Sequence, residues 1–182
     1  GVWEAVHILD GLLQNRSDIQ PDTLHGDTQA QSAPVFALAH LLGIKLMPRI
    51  RNWKDLKFFR PDADARYEHI DSLFTETIDW ALIETHFLDM LRVAVSIKAG
   101  HVTAATILRR LGTYSRKNKL YFAFRELGRV MRSSLGPSKP TTAIALQEPF
   151  EQLARDAVER LGIGNAELHA VHVNRMWHRH AA

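Results

Sequence analysis

The chain has no cysteine, which excludes a disulfide-stapled scaffold, thiolate zinc sites and a cysteine nucleophile. No apolar run approaches the ~18 residues that cross a bilayer, and residues 1–20 lack the basic start and apolar centre of a signal peptide. A strong excess of one charge is missing too: 23 Lys and Arg against 20 Asp and Glu give a formal net charge of only +3. With 46% hydrophobic and 24% charged residues, the composition is that of a globular protein and not of a disordered tail. A soluble, cytoplasmic protein is expected, of one domain or two small ones at 182 residues. There is no internal repeat.

The small net charge hides a segregated one. Residues 43–60 carry six cations (Lys45, Arg49, Arg51, Lys54, Lys57, Arg60) against Asp55 alone, and residues 98–132 carry nine against Glu126. Between them, residues 62–90 carry eight acids against Arg66. Two basic blocks around an acidic one suit a surface that meets a polyanion, although exposed helix faces carry such charge for solubility alone. Aromatic residues lie in both blocks: Trp53, Phe58 and Phe59, then Tyr114, Tyr121, Phe122 and Phe124. Cations for phosphates with rings for stacking are the mixture nucleic acid requires. Phe124 and Leu120 also keep helical spacing with Leu127 and Met131, which assigns part of that set to a core.

Helical periodicity predicts helices over 2–14, from Ser32 through Leu42, from Asp79 to Lys98, from Thr103 to Leu111 and from Ser115 to about Arg132. Ser32, Thr103 and Ser115 are the expected N-caps, Pro34 fits a first turn, and Gly43, Gly100 and Gly112 fall where helices stop. Thr23-Leu24-His25 reads as a short strand, and Ile44–Ile50 as a second one that Pro48 moves toward a sheet edge. Ser133–Pro140 has linker composition, residues 149–161 return to a helix, and a His-rich end follows.

Asp27 ends the first strand and opens a small polar loop. A carboxylate held there on a rigid element is what a hard divalent cation needs, although most loop aspartates cap turns or helices. The words around it are specific. His25-Gly26-Asp27-Thr28-Gln29-Ala30-Gln31-Ser32 is followed by Val35-Phe36-Ala37-Leu38, Leu41-Leu42-Gly43-Ile44 and Met47-Pro48-Arg49-Ile50-Arg51-Asn52-Trp53-Lys54-Asp55. Further on come Ile78-Asp79-Trp80, Asp89-Met90-Leu91-Arg92-Val93-Ala94, Ile107-Leu108-Arg109-Arg110-Leu111-Gly112, Ser115-Arg116-Lys117-Asn118 and Phe124-Arg125-Glu126-Leu127-Gly128-Arg129. In this order, over residues 1–132, they resemble the Tn-three family of bacterial replicative transposases, which carry an Asp-Asp-Glu active site.

The resemblance implies an α/β, ribonuclease-H-like core with a helical insertion. Residues 1–60 would be part of the core, 61–132 the insertion and 133–182 a divergent tail. The stretch itself is expected to be mostly α-helical with about two short strands. Asp27 takes the place of the family's second catalytic Asp, as a metal ligand for Mg²⁺ or Mn²⁺. Two such ions ~4 Å apart clamp the attacking and leaving oxygens when DNA is nicked and its 3′-hydroxyl joined to target DNA. Gly26 and Ala30 depart from the Thr and Gly usual beside this Asp. DNA at transposon ends and targets, together with self-association or an intact transposase, are the implied partners; a membrane is not among them.

Arg49, Arg51 and Lys54 are candidate DNA contacts, the first two as bidentate phosphate ligands or, alternatively, as ion-pair partners of Asp55 or the acidic block. Arg116, Lys117 and Lys119 are candidate backbone contacts without sequence choice. His25 has a phosphate-contacting or carboxylate-orienting reading beside a buried or capping one. His169, His172, His178 and His180 bind metals only casually, having no carboxylate or cysteine nearby. The family's first Asp would lie upstream of Gly1, and its Glu, in an Asn-Lys-x-Glu context, has no counterpart after Arg132; Glu151, Asp156 and Glu159 could replace it only in space. The expectation is a truncated transposase fragment, inactive alone. The alternatives are a non-catalytic helical module that binds DNA, protein or an intact transposase, and a relic without function.

Overall fold

The computed structural model describes residues 2–15, 21, 23–26, 32–48, 57–113 and 118–134. Its elements run α1 (Val2–Leu13), β1 (Thr23–Gly26), α2 (Ala33–Leu41), β2 (Lys45–Pro48), β3 (Phe58–Arg60), a 3₁₀ turn (Asp71–Leu73), β4 (Phe74–Thr77), α3 (Trp80–Lys98), α4 (Ala104–Thr113) and α5 (Lys119–Ser134).

Helix α2 is the axis of the core. Pro34 to Ala39 and Leu41 are all buried, so the helix is apolar on every side and must be covered all round. Pro34 fits its first turn, where a missing N–H costs nothing, and Gly43 at φ 78° turns the chain out of it. Helix α5 covers one flank, with α1, α3, α4 and β2 around the rest. Helix α3 contributes the stripe Ile83, Phe87, Met90, Leu91, Ala94 and Ile97, begins where Asp79 accepts a hydrogen bond from the Leu82 amide at 3.0 Å, and ends before Gly100 at φ 75°.

Two elements are held by partners far away in sequence. The Asp10 carboxylate on α1 accepts hydrogen bonds from the Ala104 and Ala105 amides at 2.6 and 3.1 Å, placing negative charge on the N-terminus of α4. Thr103 caps the same helix locally, its hydroxyl accepting from the Thr106 amide at 3.2 Å. The parallel strands β3 and β4 are joined by a crossover without an α-helix, organised by Arg60. Its guanidinium donates to both oxygens of Asp71, at 2.5 and 3.0 Å, and to the Ala65 carbonyl at 2.9 Å. Phe58, Phe74, Tyr67, Ile70 and Leu73 make a small apolar cluster beside it.

The mostly helical architecture matches the expectation, with three corrections. The strand count is four among the described residues, because β3 and β4 pair with each other in a second sheet. Gly112 does not stop α4, which continues through it to Thr113. The cap of α5 is Asn118, whose Oδ1 accepts from the Tyr121 amide at 3.2 Å; Ser115, the expected cap, lies outside the described residues.

Candidate functional site

Strands β1 and β2 run parallel, and α2 supplies the crossover that parallel pairing demands. The register pairs Leu24 with Leu46, His25 with Met47 and Gly26 with Pro48. Leu46 is buried and Leu24 packs against the core, whereas His25 and Met47 are exposed, so one face of the pair is packed and the other is open. The exposure of His25 removes its buried reading.

Both strands end together at Gly26 and Pro48. In sequence, Asp27 directly follows the first and Arg49 directly follows the second. Carboxyl ends of parallel strands, where a crossover helix begins, are where α/β units bind ligands. Asp27, Arg49, Arg51, Lys54, Arg116 and Lys117 themselves lie outside the described residues. Of the candidate DNA contacts only Lys119 is described, and it is exposed at the start of α5.

The start of α2 is fixed by a close approach. A Cβ on Gly128 of α5 would stand less than 3.0 Å from the Ala33 carbonyl oxygen, carbonyl carbon and Cα, so only glycine permits this contact. Residues 27–31 immediately precede this point in the chain. Sequence patterning offered no reason to single out Gly128, because the neighbour it needs is 95 positions away.

The second basic block divides in two. On α5, Glu126 is 3% exposed and takes Arg129 at 2.9 Å and Arg125 at 3.3 Å. Arg129 also reaches Glu76 of β4 at 2.8 Å and lies 4.5 Å from the centre of the Phe59 ring. Arg125 lies over Phe122 at 4.8 Å. Burial lowers the Arg132 pKa from its ordinary value, and in the first block Arg60 is engaged with Asp71, which raises the pKa of the guanidinium and lowers that of the carboxyl. These arginines hold the fold together. On α4, by contrast, Arg109 and Arg110 are exposed, as is Lys119 beyond it. Phe58, Phe59 and Phe124 are buried in the two cores and are not stacking surfaces; Tyr121 and Phe122 remain partly exposed.

Among the described residues no three His, Asp or Glu side chains gather as a metal-binding group. A single carboxylate would supply only one ligand position of a two-ion site, and Asp27 lies outside the described residues. No described helix is long and apolar enough to cross a membrane.

The described residues build a parallel β–α–β unit with helices packed around its crossover helix. Residues 1–135 match the family of the Tn3 transposase DDE domain, and the chain belongs to it. It is 41% identical over 133 residues to the transposase for transposon Tn21 of Escherichia coli, covering 73% of this chain and 14% of that protein. The transposase for transposon Tn1546 of Enterococcus faecium is 38% identical over 130 residues, 71% of this chain and 13% of its own length. A weaker alignment, 25% identity over 168 residues to the transposase for insertion sequence element IS1071 of Comamonas testosteroni, spans 92% of the chain and so extends past residue 135. The chain thus spans about one seventh of the curated relatives it matches. No solved structure matches it.

Proposed function

We propose that this chain carries the second acidic residue, Asp27, of a Tn3-type DDE active site that cleaves DNA at transposon ends and joins the freed 3′-hydroxyl to target DNA in replicative transposition. The observation that carries the reading is the shared end of β1 and β2, with Gly26 opposite Pro48, from which Asp27 and Arg49 follow directly in sequence. In this reading Asp27 contributes hard oxygen ligands for Mg²⁺ or Mn²⁺, the ions that supply Lewis-acid chemistry to phosphoryl transfer. Arg49, Arg51 and Lys54 bind phosphates beside it, and Arg116, Lys117 and Lys119 hold the DNA backbone. The core is ribonuclease-H-like, the site of action the bacterial cytoplasm at the nucleoid, and the assembly contains further transposase copies.

One carboxylate does not hold two metal ions, so the 182-residue polypeptide by itself is inactive in this account. Incubated with transposon-end DNA and Mg²⁺, it gives no 3′-end cleavage, and clear cleavage contradicts this. The catalytic assignment is tested by exchanging residues 1–132 for the matching segment of the Tn21 transposase and measuring transposition. Activity that is lost on Asp27→Ala supports the assignment, and activity indifferent to that change refutes it. A non-catalytic DNA-binding module would show salt-sensitive binding that survives Asp27→Ala.

A further inference from the structure

We propose that Gly128 is a positioning residue for the transposition reaction. By letting the backbone of α5 rest on Ala33, it sets where α2 begins and, through that point, the placement of residues 27–31 with Asp27 among them. Its part in the reaction rests on the transposase reading, whereas the contact itself depends on neither Asp27 nor metal.

Helix α2 lacks the local devices that usually define a start. Ser32 stands at the N-cap with φ −65° and ψ 125°, yet its side chain makes no capping hydrogen bond, and the first turn carries no acid. Its carbonyl accepts from the Val35 and Phe36 amides at 3.0 and 3.2 Å, which is all that the first turn supplies locally. A helix end without a side-chain cap frays unless packing holds it. The packing here is Gly128. A Cβ on it would stand 2.8 Å from the Ala33 Cα, and closer to the carbonyl carbon and oxygen, where ordinary contact needs ~3.5–4 Å.

The contact has a firm support behind it. Helix α5 is capped by Asn118 and buries Ala123, Phe124, Leu127 and Val130. Arg129 ties it to Glu76 of β4 at 2.8 Å, and in its last turn the buried Ser133 Oγ accepts from the Phe59 amide at 2.9 Å. On the other side, β1 is fixed by its register with β2 down to Gly26 opposite Pro48. Residues 27–31 thus join two anchored points, and so short a connection takes its placement from its anchors. Catalytic groups have to be held within ~0.5 Å, and a misplacement of ~1 Å costs about 100-fold in rate. Moving Ala33 from 2.8 Å to ordinary contact with a new methyl is a shift of ~1 Å.

Hydrogen exchange on the 182-residue chain in EDTA tests the contact, and DNA cleavage by the Tn21 transposase carrying residues 1–132 tests its consequence. In Gly128→Ala the Val35 and Phe36 amides should gain about tenfold more in exchange rate than amides in the middle of α3. Ser32→Ala should leave them unchanged, although loss of a working serine cap opens a helix start about fivefold. In the chimera, Gly128→Ala should lower the rate constant of 3′-end cleavage at saturating DNA about 100-fold and leave the dissociation constant for DNA unchanged. Asp10→Ala, which weakens the fold at α4 instead, should change neither. Thermal melting establishes that each variant is folded at the assay temperature. Cleavage by folded Gly128→Ala at the unsubstituted rate overturns the proposal, as does a loss that Asp10→Ala shares. If Gly128→Ala does not fold, Ser32→Ala decides: unchanged exchange at Val35 and Phe36 supports the proposal, and faster exchange overturns it by making the local cap the device that holds the start. Cleavage that survives Asp27→Ala refutes the catalytic reading instead, an outcome separate from all of these.

Discussion

Two glycines in two helices predict opposite responses to the same substitution. Gly112 lies near the end of α4 with nothing within 4 Å of a Cβ placed on it, and Gly128 lies inside α5 against the Ala33 backbone. By propensity alone both should gain from alanine, by ~1 kcal/mol in a helix interior and less near an end. At Gly112 only that gain operates, so Gly112→Ala should stabilise by about 0.5 kcal/mol. At Gly128 the new methyl meets a carbonyl and a Cα that cannot rotate aside, and α5 must part from α2. Overpacking of this kind costs up to ~3 kcal/mol, which leaves Gly128→Ala about 2 kcal/mol less stable after the propensity gain. Urea unfolding followed by circular dichroism reads the difference. With an m-value of ~2 kcal/mol per M, the midpoint should rise by about 0.25 M for Gly112→Ala and fall by about 1 M for Gly128→Ala. A midpoint for Gly128→Ala that rises or stays put refutes the close approach of α5 to the start of α2.

Three further perturbations follow from the same packing. Burial holds the His40 pKa down from 6.5 to about 4. Below pH 6.5 the unfolded chain takes up a proton that the folded one refuses, so stability should fall between pH 6.5 and 4 by up to roughly 3 kcal/mol; His40→Gln should flatten urea midpoints across that window. Removing the buried carboxylate with Glu126→Ala takes the shared acceptor from Arg125 and Arg129 and should cost about 3 kcal/mol, whereas Glu76→Ala, at a carboxylate 60% exposed, should cost under ~1 kcal/mol. Asp10→Ala removes the non-local cap of α4 and should cost about 1 kcal/mol, read most directly as faster hydrogen exchange at the Ala104 and Ala105 amides.

The sequence signals that hold in the structure are those whose causes lie within a few residues. Pro34 at a helix start, Gly43 and Gly100 after helix ends and the α3 stripe from Ile83 to Ile97 act through local geometry and periodicity, and each lies where patterning expects it. Strands β3 and β4 have three and four residues, too few to show alternation, and pair across a crossover that Arg60 organises. The amides that donate to Asp10 are 94 and 95 positions distant. The basic block over 98–132 reads as one surface in the sequence, yet Arg129 turns inward because Glu76 and Phe59, from strands the periodicity does not reveal, are there to receive it. The candidate site was legible through the words around Asp27 and through two strands whose common end the register then aligned. Gly128, which presses on the start of α2, left no trace in the local pattern.

The central claim, that Asp27 is a metal-binding carboxylate of a DDE site, is tested most directly by replacing Mg²⁺ with Fe²⁺ in the Tn21 transposase that carries residues 1–132. Addition of ascorbate and peroxide then cuts the polypeptide beside the ion. The account predicts a cut within a few residues of Asp27 that competes with Mg²⁺ and disappears in Asp27→Ala. Strand transfer by the same protein with no cut near Asp27, or with a cut that Asp27→Ala leaves intact, would contradict it.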